Sequence, residues 1–236
     1  PHMLEDYVES KFKDDNEVNY DDFKEYIEQS LFGRLFKSLP DSRKIMLNTQ
    51  YRMNREIGNL VSELFYDNKL NTGTDIINDT KLYTGNSLVY LDVKGKQKRT
   101  NSGSLVNEIE AEEIVNKLIE LNKTSQNYEG DKITVGIISF YKAQVEYLRD
   151  KIRTLSLNNI DVKVGTVDAY QGLEKDIIFL SSVRTQGVGF TANPNRLNVS
   201  LSRAKKLVVL FGDIRNLTSD KLFKKIIQGC KDGRNI

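Results

Sequence analysis

The chain has 236 residues, 39% of them hydrophobic, which suits one α/β domain with a short appendage, and it holds no apolar run near the ~20 residues needed to cross a bilayer. Its single cysteine (Cys230) and single histidine (His2) exclude Cys/His zinc sites, Ser-His-Asp and Cys-His nucleophile systems and any disulfide within the chain, which fits a reducing, cytoplasmic setting. The net charge of +2 is unevenly spread: residues 1–29 carry ten acidic residues and three lysines, a local charge of −7, and the remaining 32 basic and 23 acidic residues leave a body of +9, which favours a polyanionic partner.

Pro1-His2-Met3 reads as a tag remnant, and residues 4–19 as an acidic, flexible lead-in without a clear period. From Asp21, Phe23, Ile27, Leu31, Leu35 and Leu39 recur at steps of four and predict a helix that Gly33 interrupts and Pro40 stops. Ile57, Leu60, Val61, Leu64 and Phe65 form the apolar stripe of a second helix. Residues 67–87 read as a loop, Ser87–Val93 as a strand, and residues 94–104 (KGKQKRTNSGS) as a basic, flexible loop. Leu105–Leu121 is expected as a helix.

The second half alternates. Strands are expected at Ile133–Ser139, Val162–Thr166, Asp176–Val183 and Lys206–Gly212. Helices are expected at Phe140–Leu155, Asn195–Ala204 and Leu217–Gln228. Short β-branched runs alternating with helices imply a parallel sheet covered on both faces. Ligands of such sheets bind beyond the carboxyl ends of the strands.

Four segments fall at strand ends or helix starts, where that rule places function: Gln50-Tyr51-Arg52-Met53, the run Ser139 to Gln144 (SFYKAQ), Gly165 to Asp176 (GTVDAYQGLEKD), and Gly187 to Ala204 (GVGFTANPNRLNVSLSRA). Together, over about residues 30–213, they resemble the C-terminal RecA-like domain of superfamily 1 helicases, in the branch containing the nonsense-mediated-decay RNA helicase and related DNA helicases. The strand end that reads TPY in many relatives is SFY here, so the Ser139 hydroxyl takes the place of a threonine.

The sequence has no GxxxxGK[ST] loop and no apolar strand ending in Asp-Glu, so it carries neither the phosphate cradle nor the magnesium carboxylate of such a motor. The resemblance implies that both belong to a preceding domain. The expected division is 1–29 as tag remnant and lead-in, and 30–236 as the second motor domain, an α/β RecA-like unit without a P-loop.

The resemblance also assigns roles. Arg52 and Arg203 match the arginines that stabilise charge on the γ-phosphate, an effect worth ~10³–10⁵ in rate. Tyr51 matches the aromatic that stacks on adenine, with Gln50 beside it. Glu174 matches a carboxylate near the ribose and γ-phosphate, and Gly172 would let the backbone approach the nucleotide. Ser139, Tyr141, Gln144, Thr166 and Asp168 are expected to face nucleic acid, and Gln171 to link the two sites. Asn193 and Pro194 suit the start of the last helix. Arg196, seven residues before Arg203, would lie about 10 Å along the same helical face.

The implied protein is an ATP-dependent helicase or translocase that uses ATP with Mg2+, held mainly by the N-terminal RecA-like domain of the same protein. It moves 5′-to-3′ on single-stranded nucleic acid, DNA favoured over RNA, without a membrane. The isolated chain is expected to be inactive. The alternative is a non-catalytic module that docks nucleic acid or protein. A nuclease ranks last, because no carboxylate–lysine cluster for metal is evident.

Overall fold

The computed structural model describes residues 35–36, 38–74, 85–127 and 131–233. The chain divides into two compact units, Pro1–Leu47 and Asn48–Ile236. In the first, Leu39 N donates to the Leu35 carbonyl at 3.2 Å, a helical turn. Pro40 separates it from a 3-10 turn at Asp41–Arg43. The helix expected from Asp21, the acidic lead-in and the boundary expected at residue 30 lie outside the described residues.

The second unit runs, in chain order, β1 (Thr49–Gln50), α1 (Arg55–Phe65), β2 (Asn71–Thr72), β3 (Leu88–Asp92), β4 (Lys98–Arg99), β5 (Leu105–Val106), α2 (Glu108–Thr124), β6 (Ile133–Ser139), α3 (Lys142–Arg153), β7 (Ile160–Thr166), β8 (Lys175–Ser181), α4 (Pro194–Leu201), β9 (Ala204–Gly212), α5 (Ile214–Leu217), α6 (Lys221–Gln228) and β10 (Lys231–Asp232). Six strands form one sheet in the order β10-β3-β9-β8-β6-β7, with every neighbouring pair parallel. The carboxyl ends are in register: Ser139 pairs with both Thr166 and Ser181.

Alternation along the strands divides the core in two. Ile138, Ile178, Leu180, Val208 and Leu210 pack with Ile57 and Val61 of α1, Leu197 and Leu201 of α4, and Phe223 and Ile226 of α6. Val135, Ile137, Ile177, Phe179, Val209 and Phe211 pack on the opposite face with Ile114 and Leu118 of α2 and Leu148 of α3. Each buried Leu, Ile or Phe contributes roughly 1.5–3 kcal/mol, and both faces are covered, as a parallel sheet requires.

The expected strands all form, Ile133–Ser139 with both ends as expected and the others with an end shifted by at most two residues. Several expected elements differ, among them the loop 67–87, in which Asn71–Thr72 forms β2 beside β1. The expected helix from Leu105 starts at Glu108, because Leu105–Val106 pairs antiparallel with Lys98–Arg99 in a hairpin, and Asn107 caps the helix through Glu110 N. The basic loop is therefore a built ribbon in part. The closing helix is two, because Asp220 accepts from Leu222 N and Phe223 N and starts a new helix. The last motif's helix ends at Leu201, with Ser202 as its C-cap, so Arg203 lies beyond it. The seven-residue spacing of Arg196 and Arg203 thus does not place them on one helical face.

Candidate functional site

The four segments divide between opposite edges of the sheet. Glu174 precedes β8 and Arg203 precedes β9, so both lie at amino ends, against the expectation that all function sits at carboxyl ends. The register bulge between β8 and β9 falls here, with Lys175 paired to Ala204. Arg52 reaches the same edge through Asn54, which is 2% exposed. Asn54 N donates to the Lys205 carbonyl at 2.8 Å. Its Nδ2 donates to Lys206 O at 2.7 Å and Ser87 Oγ at 2.6 Å, while Oδ1 accepts from Ile57 N and caps α1.

Arg52 and Arg203 converge there. Arg52 Nε donates to Glu174 Oε2 at 2.9 Å, and Nη1 to Ser202 O at 3.3 Å. Arg203 donates to Val199 O, Leu173 O and Ser202 Oγ at 3.1, 3.3 and 3.1 Å. Lys205 Nζ lies 2.7 Å from the other Glu174 oxygen. Hydrogen bonds from Lys205 and Arg52 hold the Glu174 carboxyl below its ordinary range. Burial, and then the neighbouring Arg52 charge, lower the Arg203 pKa. Three cations around one carboxylate leave a surplus positive charge that suits a polyphosphate.

Gln50 shapes the loop that presents Arg52. Its Oε1 accepts from Arg52 N and Met53 N, each at 2.8 Å. Its Nε2 donates to Met53 O and Thr72 Oγ1 at 2.8 and 2.9 Å. All its polar capacity is directed inward, so its geometry is that of a loop organiser. Tyr51, next to Arg52 in the chain, is 66% exposed, with its ring lying against Gly73, where a Cβ would collide with it.

Ser139, Tyr141, Gln144 and Thr166 lie at the carboxyl ends of β6 and β7. Seven strand residues separate that edge from the amino edge, roughly 20–25 Å. Ser139 and Gln144 were expected to touch nucleic acid, yet both are fully buried. Gln144 Oε1 accepts from Asn107 N at 2.8 Å, and its Nε2 donates to Asn107 O and Ser181 Oγ, each at 3.2 Å. Ser139 Oγ accepts from Tyr141 N at 3.3 Å. These two side chains therefore knit strand ends and helix starts together and present no surface to a strand of nucleic acid. Tyr141 is mostly buried against Phe190, with ring centroids 4.9 Å apart. Thr166 is half-buried. Asp168 is exposed and meets Arg196 at 3.5 Å. Arg196 also lies over the Phe190 ring at 5.3 Å.

The crossover from Thr166 to Lys175 connects the two edges. Tyr170 anchors it: the side chain is fully buried and its hydroxyl donates to the Lys163 carbonyl. A Cβ on Gly136 would lie 2.9 Å from the Tyr170 ring, so only glycine on β6 lets the ring lie so close to the sheet. Gln171 and Gly172 are exposed. Gly172 has φ +83° and open space where a Cβ would be, so the left-handed turn, more than any close neighbour in this structure, calls for glycine.

A family model described as an AAA domain matches residues 27–215, most of the chain. The chain belongs to this family, the C-terminal region of superfamily 1 helicases. It is 34% identical over 223 residues to an uncharacterised ATP-dependent helicase of Methanocaldococcus jannaschii, covering 88% of this chain and 32% of that protein. It is 34% identical over 215 residues to the helicase sen1 of Schizosaccharomyces pombe, covering 84% and 12%. It is 31% identical over 221 residues to a Drosophila melanogaster homologue of regulator of nonsense transcripts 1, covering 87% and 18%. The chain thus spans about a third or less of the length of these relatives.

Several residues of this helicase region escaped the sequence reading. Asn54 stood between Arg52 and an amphipathic helix and carried a readable N-cap signal. Lys205 had no local signal, because only folding brings it to Glu174. Glu110 is fully buried under the carboxyl edge. It accepts from Ser181 Oγ at 2.6 Å and from Val183 N at 3.0 and 3.1 Å. Val183 has φ 67°, a strained value for a β-branched residue. No local pattern sets Glu110 apart from Glu108, Glu112 and Glu113 beside it.

Proposed function

We propose that this helicase region is the second motor domain of an ATP-dependent helicase or translocase. ATP and Mg2+ would be held mainly by an N-terminal RecA-like domain of the same protein. Arg52 and Arg203 would meet the γ-phosphate from this side and stabilise its charge during transfer. Glu174 would keep Arg52 aimed, Tyr51 would stack on the adenine, and Gly172 would form the turn beside the nucleotide. The carboxyl edge, with Tyr141, Thr166 and Asp168, would grip single-stranded nucleic acid, DNA in preference to RNA. Gln171, on the crossover anchored by Tyr170, would join the two edges.

One observation supports the reading above all. Two arginines 151 positions apart share one edge, one carboxylate neighbourhood and the Ser202 main chain and hydroxyl. A structural ion pair needs one arginine for Glu174, and this cluster has two arginines and Lys205. In the longer protein, Arg52→Ala and Arg203→Ala should each lower strand-stimulated ATP turnover by about 10³ or more, with strand affinity retained. The chain alone should show no turnover. Robust ATP hydrolysis by the purified 236 residues, or undiminished turnover in both variants, refutes the motor reading. Undiminished turnover with intact strand binding would favour the non-catalytic docking module.

A further inference from the structure

The hairpin of β4 and β5 lies outside every segment given a role so far, yet it combines charge with fixed geometry. From Val93 to Asn107 the sequence holds Lys94, Lys96, Lys98 and Arg99 and no acidic residue. All four cations are exposed. Lys98 pairs with Glu108 at 2.6 Å. Lys94, Lys96 and Arg99 have no carboxylate within 4.0 Å among the described residues.

This ribbon is pinned to the carboxyl edge at three points. It leaves the end of β3, where Val93 N donates to Gly212 O at 3.0 Å. Gln97 bridges to the loop after β8: its N donates to Thr185 Oγ1 at 3.2 Å, and its Oε1 accepts from Thr185 N and Gln186 N at 3.0 and 3.3 Å. Ser104 Oγ accepts from Ala143 N, at the start of α3, at 3.2 Å. Gly95 lies so close to the Asn107 side chain that a Cβ there would collide with it. Arg99 is tied to its own turn through the Gly103 carbonyl at 3.2 Å. A solvated loop of lysines would have none of these ties.

We propose that this hairpin is a further contact for single-stranded nucleic acid, with Lys94, Lys96 and Arg99 holding the phosphodiester backbone. The inference rests on the proposed strand grip of the carboxyl edge and extends it across the β3 and β8 ends. Cations on a held ribbon bind phosphates with less ordering cost than mobile ones, and such contacts position a strand without reading its sequence. The ribbon adjoins the strand-gripping edge, and this favours nucleic acid over an acidic protein segment.

The test is binding of a fluorescent thymidine 15-mer to the 236-residue chain by anisotropy, between 50 and 400 mM KCl. Each phosphate contact contributes about 0.7 to the logarithmic salt slope on a single strand. The triple change Lys94→Gln, Lys96→Gln, Arg99→Gln should reduce the slope by about 2 and weaken binding about a hundredfold at 0.1 M KCl. Gln97→Ala keeps every charge but frees the ribbon, and should weaken binding with the slope unchanged. An unchanged slope in the triple variant overturns the proposal. If Thr166→Val still weakens binding in that case, the strand grip of the carboxyl edge survives and only the hairpin contact fails. A wild-type chain that binds no strand overturns both. Loss of binding to a 15-residue glutamate peptide, with strand binding intact, overturns it in favour of a protein partner.

Discussion

Arg52 and Glu174, 122 positions apart, meet at 2.9 Å through Nε and Oε2. The contact leaves the Arg52 side chain about one-third exposed, so it orients the group without enclosing it. Exposed ion pairs contribute little to stability. Glu174→Gln should therefore leave the melting temperature within about 2 °C of wild type. In the longer protein it should lower strand-stimulated ATP turnover at least tenfold, because Arg52 and Lys205 lose the carboxylate that aims them. Thermal melts alongside steady-state ATPase assays separate the two. A large melting shift with normal turnover would make Glu174 a stabilising residue only.

Arg203 differs from Arg52 in how it is held. Its three nitrogens are each committed to Val199 O, Leu173 O or Ser202 Oγ. Removing it takes the donor from the Val199 carbonyl in the last turn of α4, where carbonyls are already short of partners, and from the Leu173 carbonyl just before β8. Arg203→Ala should destabilise the chain by about 1–3 kcal/mol, whereas Arg52→Ala should cost under about 1 kcal/mol. Arg203→Lys should not rescue turnover, because an ammonium cannot reproduce the planar fork. Urea unfolding of the three variants checks the ordering, and equal losses for Arg52→Ala and Arg203→Ala would contradict it.

Asn54 performs two tasks with opposite ends of one amide. Its oxygen caps α1, and its nitrogen holds Lys206 O and Ser87 Oγ. Asn54→Asp keeps the cap and loses both donations, placing a buried carboxylate against a carbonyl. Asn54→Ala loses everything. Both should destabilise by about 2–4 kcal/mol, and Asp should not be the milder change, although an exposed N-cap would accept it. Denaturant midpoints decide this. An Asn54→Asp protein as stable as wild type would mean that the tie to β9 contributes nothing.

The sheet was legible because its strands are uninterrupted β-branched runs with both faces buried, and Ile133–Ser139 emerged with its ends as expected. Arg52 and Arg203 were legible as a pair only through motif resemblance, since no local pattern announces that two residues 151 positions apart meet the same Ser202. Their edge was not legible. The carboxyl-end rule pointed to one end of the strands, whereas Arg52, Glu174 and Arg203 gather at the amino ends of β8 and β9. Ser139 and Gln144 read as polar residues at a strand end and a helix start. Gln144 finds its partners on distant elements, at Asn107 and Ser181, while the Ser139 hydroxyl is satisfied locally by Tyr141 N. The hairpin was hidden because Lys98-Arg99 pairs over only two residues, too short for any alternation to register.

Glu110 gives the chain a pH dependence that opposes ordinary acid denaturation. Burial outweighs the hydrogen bonds from Ser181, Val183 and Ser182 and pushes its carboxyl up to about 7. A carboxyl whose folded pKa exceeds its unfolded value of about 4.3 favours the fold when protonated. That contribution is fully present below the unfolded pKa and is lost as pH rises through about 7. Above neutrality the fold carries a buried carboxylate at a cost on the order of 3 kcal/mol. Glu110→Gln removes the titration. Its oxygen can still accept from Val183 N, and its amide can donate to Ser182 Oγ. Stability of the wild-type chain should fall steadily from about pH 4 to about pH 7 relative to Glu110→Gln, with the two curves parallel above about pH 8. Urea unfolding at half-unit intervals measures the difference. Parallel curves across the whole range would show that Glu110 stays ionised throughout, with the Val183 turn held by charge-assisted hydrogen bonds strong enough to offset its burial.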